Sequence, residues 1–466
     1  MPSTGEFMKT KINLDPALIF VLLIVSLLVL SHSSGGLAAS DSSGVSEGGV
    51  QQESPQESLT IAPNDFNSKI NYSYNNIDKY AMNTPISAEA SVDSLASYLV
   101  APAKNEREKA RSIFRWVTEN IDYDVLGFFT GSFEGTSSKD VLKSRKSVCS
   151  GYSDIFSSLA SSAGLEVVRI AGYGKGYGYL PGENLSGPSN HAWNAVKING
   201  SWYLIDCTWG AGYIDDSKKY VHRFDDHYFM TPPSEFIYGH FPEDSRWQLL
   251  EHPLSKSEFE KQAFVKPEFF KYGLKLDDRL EGTIRADDAV NISIFAPDDV
   301  LLMAGLESIG NKVSAKLGDY VLAERNGNRY DIYAQFPEIG KYILRAYVKQ
   351  KDETGKYHGA VEYLIDAAAA SDKGTGFPMT YDKFTEDSAY LYSPMEGRLK
   401  SGTPYWFRIR VPNAKNVTVV SGDEWTYLGS RGDLFEGNVT VEKGDVVVYA
   451  KFQGEGYDGL LKYISY

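Results

Sequence analysis

Asn190-His-Ala-Trp-Asn-Ala-Val-Lys-Ile-Asn-Gly-Ser-Trp-Tyr-Leu-Ile-Asp-Cys-Thr-Trp209 reads as two strands folded about a turn. Asn199-Gly200 is the strongest short signal for a two-residue type I′ hairpin, because both turn residues must take positive φ. That loop sets Ile198 opposite Ser201. Counting back puts Trp193 opposite Asp206 and His191 opposite Thr208. His191 and Asp206 become diagonal neighbours on one face, roughly 7–8 Å apart at the backbone, a gap that an imidazole and a carboxylate can close. Cys207 falls opposite Ala192, on the other face.

Upstream lies Ser147-Val-Cys-Ser-Gly-Tyr152. Tyr152, Ile155, Phe156, Leu159, Ala160 and Ala163 have helical spacing. Ser150 and Asp154 suit a first turn, and Gly164 is a natural stop. Cys149 is thus expected at the N-terminus of a helix, where unpaired N–H groups and the positive end of the macrodipole favour a thiolate. Thiol, imidazole and carboxylate together are the parts of a cysteine-nucleophile acyl-transfer site. The chain has only two cysteines. In an exported chain a pair invites a disulfide reading, but the register turns Cys207 away from the His191 face. Cys207 reads instead as a small buried apolar residue.

The blocks Ile113-Phe-Arg-Trp-Val117, Asn120-Ile-Asp-Tyr-Asp124, Val148-Cys-Ser-Gly-Tyr152 and Ala171-Gly-Tyr-Gly-Lys-Gly-Tyr-Gly-Tyr179 come in sequence. Asn190-His-Ala-Trp-Asn194, Ile205-Asp-Cys-Thr-Trp-Gly-Ala-Gly212, Asp226-His-Tyr-Phe229 and His240-Phe-Pro-Glu-Asp-Ser-Arg-Trp247 come after them. In this order they resemble the transglutaminase-like superfamily, a papain-like thiol acyl-transfer fold, and within it the kyphoscoliosis-peptidase-like branch. The resemblance implies Cys149 as nucleophile, His191 as base and Asp206 as orienting acid. The superfamily includes peptidases, amidases, transglutaminases and catalytically silent scaffolds.

The implied chemistry is attack of Cys149 on an amide of a protein or peptide, through a thioester. The oxyanion would be held by the Cys149 N–H and a second donor, for which Trp116 and Tyr123 are candidates. Tyr152, Tyr177, Trp193 and Trp209 are candidate substrate contacts, with Tyr213 near the same groove. Gly172-Tyr-Gly-Lys-Gly-Tyr-Gly178 lacks the Ser/Thr of a phosphate loop and runs on to Pro181, so it reads as a flexible aromatic loop near the cleft. His222 and His227, with Asp225 and Asp226, lack the spacing of a zinc helix, and structural hydrogen bonding is the expectation there. Neither cofactor nor metal is called for.

Lys9 and Lys11 precede the apolar run Ala17–Leu30, and small residues follow to Ala39. This is the pattern of a signal peptide cleaved near Ala38 or Ala39. As a helix the run is roughly 21 Å long against a hydrocarbon core of about 30 Å, so export is expected, with an N-terminal anchor as the alternative. With no cysteine nearby, a lipid anchor at that site is excluded. The expected location is secreted or cell-surface. A net charge of −14 and a pI near 5.1 argue against nucleic acid as a partner. Sequons begin at Asn71, Asn184, Asn199, Asn291, Asn416 and Asn438.

The chain divides into a leader over 1–39, a Ser/Gly/Gln/Glu-rich disordered linker over 40–67, and an α+β papain/transglutaminase-like unit over 68–254. Two all-β immunoglobulin-like sandwiches are expected over 255–370 and 371–466. Short alternating strands such as Tyr342–Val348 and Tyr405–Val411 support them, with a linker-like run at 367–376. Gly340-Lys-Tyr and Gly444-Asp-Val open loosely similar stretches, which raises the idea of a duplication. The sandwiches would hold substrate or a surface partner. The alternative function is a non-catalytic surface binding or scaffold protein that keeps the fold.

Overall fold

The computed structural model describes residues 73–466 except 134, 278–280, 310–314 and 372–373. The expected leader over 1–39 and linker over 40–67 lie outside the described residues. Among the described residues no helix is long and apolar enough to cross a membrane.

The N-terminal unit packs helices on a five-stranded antiparallel sheet. Helix α1 (Val92–Val100) starts at Ser91, whose side chain accepts from Ser94 N–H. Helix α2 (Glu106–Asn120) starts at Asn105, whose side chain accepts from Glu108 N–H, with Glu106 and Glu108 in the first turn. Helix α3 (Cys149–Ser162) begins after Val148, which offers no side-chain cap. Gly164 at φ +77° ends it. The sheet consists of β1 (Val167–Gly174), β2 (His191–Ile198), β3 (Ser201–Ile205), β4 (Phe229–Thr231) and β5 (His240–Pro242), in the order β4-β3-β2-β1-β5.

Strand alternation divides the apolar residues between two cores. Val196 and Ile198 face the helices and pack with Ile155, Phe156 and Leu159 of α3 and with Phe114 and Val117 of α2. Trp193 and Ala195 face the opposite side and pack with Trp202, Leu204 and Phe236. The hairpin turn has positive φ at Asn199 (49°) and Gly200 (83°), and Ile198 pairs with Ser201. The expected register holds back to Asn194 opposite Ile205. There the ladder ends. The chain turns into a short helix, α4 (Cys207–Ala211), so Cys207 does not face Ala192 across a sheet. It is buried at the first helical position, and both cysteines are free.

Lys175 corrects another expectation. Gly172–Gly174 belong to β1, and Lys175 is 2 % exposed. Its Nζ donates to the carbonyls of Phe259 (2.8 Å) and Gln262 (3.4 Å), tying the sheet to the segment that leads into the next domain. Burial pushes its pKa down to about 7. The first half of the stretch is thus strand and buried tether, and only Gly176–Gly178 remains the exposed loop expected from its glycines.

Each C-terminal sandwich closes one core between two sheets. In the first, strands Phe264–Val265, His358–Ala367, Gly340–Gln350, Val300–Ile309 and Ala315–Lys316 lie side by side, and Thr283–Ala286 joins parallel to His358–Ala367. The facing sheet runs Lys275–Leu276, Ala289–Phe295, Arg329–Gln335, Val321–Asn326. The second sandwich repeats this order strand for strand from Met379–Thr380 to Asp458–Ser465. Both also carry a register shift in the penultimate strand, at Ala346/Tyr347 and at Val448/Tyr449. The shared topology supports an internal duplication that the sequence carries only faintly. On either side of residues 372–373, Ala368 N–H donates to the Ala286 carbonyl and Phe377 N–H to the Asp319 carbonyl, both in the first sandwich.

Candidate functional site

Three elements meet at the upper edge of the sheet. The first residue of α3 is Cys149, half-buried, and no side chain caps this helix start. The first residue of β2 is His191, 8 % exposed. Between β3 and α4 stands Asp206, fully buried. His191 Nε2 lies 2.8 Å from Asp206 Oδ2, and Cys149 is near enough on the other side to act on the His191 charge.

Asp206 reaches this position by a route the hairpin pattern did not contain. It is the N-cap of α4, and its Oδ1 accepts from Thr208 N–H (2.8 Å) and Trp209 N–H (3.1 Å). Its Oδ2 accepts from a second imidazole as well, His240 Nε2 at 2.9 Å. Four donors surround one buried carboxylate. Burial resists ionisation, yet His191 and then His240 hold Asp206 well below the ordinary carboxylate range. Burial also opposes charge on His191, but the Asp206 carboxylate and the Cys149 thiol raise its pKa to about 10. His240 goes the other way. Burial outweighs the pull of Asp206 and brings it down to about 4.

The aromatic candidates separate into wall and core. Trp209 stacks on His191 (4.8 Å between centroids, 21° between planes) and shields one side of the ring. Tyr177 is exposed and meets Phe129 edge-on at 5.6 Å. Tyr123 lies close enough to Cys149 and Asp206 that their charges, added to burial, raise its phenol pKa. Tyr152 is not a substrate contact. It is fully buried in the α3 core, and its OH donates to the Ile121 carbonyl at 2.5 Å. Trp193 is 1 % exposed behind the two imidazoles, T-shaped against His240 at 5.1 Å. Trp116 is no oxyanion donor, because its buried Nε1 donates to Glu89 at 3.2 Å. Tyr213 is exposed beneath the Arg223 guanidinium.

The second histidine group disperses. His222 Nε2 bonds the Thr118 carbonyl at 2.8 Å, Asp225 pairs with Lys271 and Asp226 with Arg111. The described cluster whose atoms converge is His191, Asp206 and His240, with ligand atoms within 4.8 Å of one another. Sequence reasoning quoted His240 at the head of its block and gave it no role. A histidine opening an aromatic-rich stretch after the Asp block is the only signal it offered.

A family model for the transglutaminase-like superfamily matches residues 93–207, and one for a KY-like, immunoglobulin-like domain matches residues 256–378. The human kyphoscoliosis peptidase is 30 % identical over 296 residues, covering 63 % of this chain and 43 % of that protein. The Lim and transglutaminase domain protein ltd-1 of Caenorhabditis elegans is 36 % identical over 239 residues, covering 48 % and 33 %. A solved structure of a TGase aligns at 18 % identity with a TM-score of 0.20, covering 34 % of this chain and 38 % of that one. The chain spans less than half the length of these curated relatives. It carries a transglutaminase-like superfamily domain followed by a β-rich region that contains a KY-like, immunoglobulin-like domain.

Proposed function

We propose that the protein is an exported cysteine-nucleophile acyl-transfer enzyme, peptidase- or transglutaminase-like, acting on protein or peptide amides. The observation that carries this reading is His191 bonded through Nε2 to the buried Asp206 carboxylate, with Cys149 close enough to act on its charge at a helix start that no side chain caps. The peptidase and transglutaminase names among the relatives agree with it. Export rests on the Lys9/Lys11 and Ala17–Leu30 pattern.

The Cys149 proton rests on His191 as a thiolate–imidazolium pair, and the thiolate attacks the amide carbonyl. A C–S bond forms and the carbonyl π electrons move onto oxygen. The Cys149 N–H would receive that oxyanion, with the Tyr123 hydroxyl as the candidate second donor. Its collapse breaks the C–N bond, and imidazolium His191 protonates the departing amine. Asp206 fixes the ring tautomer and balances its charge. Water or a second amine, deprotonated by His191, then attacks the thioester and returns Cys149 to the thiol.

The test is an acid-quench experiment on the full chain with a library of peptide amides. Mass spectrometry that finds an acyl adduct on Cys149, absent in Cys149→Ala and in His191→Ala, supports the enzyme. A chain that binds peptides with no adduct on any substrate fits the scaffold alternative.

A further inference from the structure

We infer that His240 is a positioning residue of this site: its imidazole donates from Nε2 to Asp206 and pins the carboxylate against His191. The inference rests on the acyl-transfer reading above. Three observations support it. First, the two imidazoles share one oxygen, at 2.8 Å for His191 and 2.9 Å for His240, while the other oxygen is held by Thr208 and Trp209 N–H. The carboxylate therefore cannot rotate without breaking several bonds. Second, the His240 ring is clamped. It lies flat on Phe236 (3.8 Å between centroids, 15°) and within 4.2 Å of Trp209, the residue that stacks on His191. Third, packing alone does not explain an imidazole here. His240 is 2 % exposed among aromatic rings, where a phenyl ring would fit without the penalty of a buried polar group.

The strand β5 delivers this ring, with His240 paired to Gly174 at the sheet edge. Two residue pairs further along, a Cβ on Gly172 would sit 2.3 Å from the Phe241 carbonyl and 2.4 Å from Trp193. Strand and ring are thus held at one depth. The titratable groups facing the cluster are Cys149 and Tyr123 from the nucleophile side, Cys207 from α4, and His227 and Tyr228 from the segment before β4. Burial holds Cys207 and Tyr228 in their neutral forms and brings His227 down to about 4. Between pH 5 and 9 the charge on His191 is therefore set by Asp206 and Cys149.

The full chain is compared with His240→Phe, which keeps the ring and loses the donor, and His240→Gln, which restores an N–H near Nε2. Iodoacetamide labelling of Cys149 is followed from pH 4 to 10, and hydrolysis of p-nitrophenyl acetate gives kcat and KM. Expected for His240→Phe is a roughly 10–100-fold fall in kcat with KM within a factor of about three, by analogy with lost outer-shell partners. The pH midpoint of labelling should shift upward, and His240→Gln should recover most of both. If His240→Phe fails to fold, His240→Asn, whose amide is too short to reach, replaces it in the comparison with His240→Gln. Wild-type profiles in His240→Phe at unchanged Tm would overturn the inference. So would activity lost with EDTA and regained with Zn²⁺, which would make the three side chains a metal site. A wild-type Cys149 with no labelling below pH 7 would instead refute the acyl-transfer reading itself.

Discussion

Two buried carboxylates in this molecule meet the same problem with opposite outcomes. Asp206, in the transglutaminase-like unit, is fully buried and receives four donors. Glu324, at the joint between the sandwiches, is 1 % exposed and receives Leu391 N–H at 2.9 Å on one oxygen. Its other oxygen meets no donor among the described residues. Burial, with Asp331 nearby, pushes Glu324 up to about 8, so it is largely protonated at neutral pH. Burial alone therefore does not make a charged site. The donor count decides, and only the Asp206 region spends a helix cap and two imidazoles on keeping a negative charge.

The sharpest way to break this comparison is at the nucleophile. Cys149→Ala should lower ester hydrolysis by at least about 10³-fold, whereas Glu324→Gln should leave it within a factor of about two. Equal losses in steady-state assays would erase the functional difference between the two regions. Next in size is Asp206→Asn, which leaves two imidazoles and two N–H groups around a neutral amide. Urea unfolding should show a loss of about 3–5 kcal/mol, the range for removing one partner of a buried charged pair. Gly172→Ala should lose about 1–3 kcal/mol in the same assay, because the added methyl meets the Phe241 backbone and the Trp193 ring.

Stability against pH sharpens the contrast further. His240 and His227, with folded values near 4 against an ordinary 6.5, are buried neutral. Their contribution is complete above pH 6.5 and lost as pH falls toward 4. His191, raised to about 10, contributes fully below pH 6.5 and loses its contribution as pH rises through 10. Glu324, raised from 4.5 to about 8, makes the fold lose stability from pH 4.5 up to 8. Tm measured from pH 4 to 10 should thus fall on both sides of a maximum near pH 6. The smallest expected effect is that Glu324→Gln flattens the alkaline limb while the acid limb stays as it was.

The sequence showed the hairpin because Asn-Gly between alternating apolar residues leaves one register that buries both faces. It showed the Cys149 helix because the apolar spacing is unbroken. It misplaced the residues just beyond Ile205. Cys-Thr-Trp-Gly-Ala has no helical stripe, so Asp206 looked like a strand residue when its role is to cap a five-residue helix. Tyr152 shows the limit of reading aromatics as contacts. It belongs to the same stripe as Ile155, Phe156 and Leu159, and that stripe is the one that buries. His240 was hidden because its partner lies 34 residues away, joined through a sheet order that no local pattern encodes.

The central claim is that one carboxylate holds a charged imidazole and a neutral one side by side. Nitrogen NMR of the full chain labelled at histidine, with His191→Gln and His240→Gln for assignment, reads both charge states directly. The account predicts that His191 keeps two N–H protons at pH 8 and titrates near 10, while His240 stays neutral down to about pH 4. Two histidines titrating together near 6.5 would contradict it.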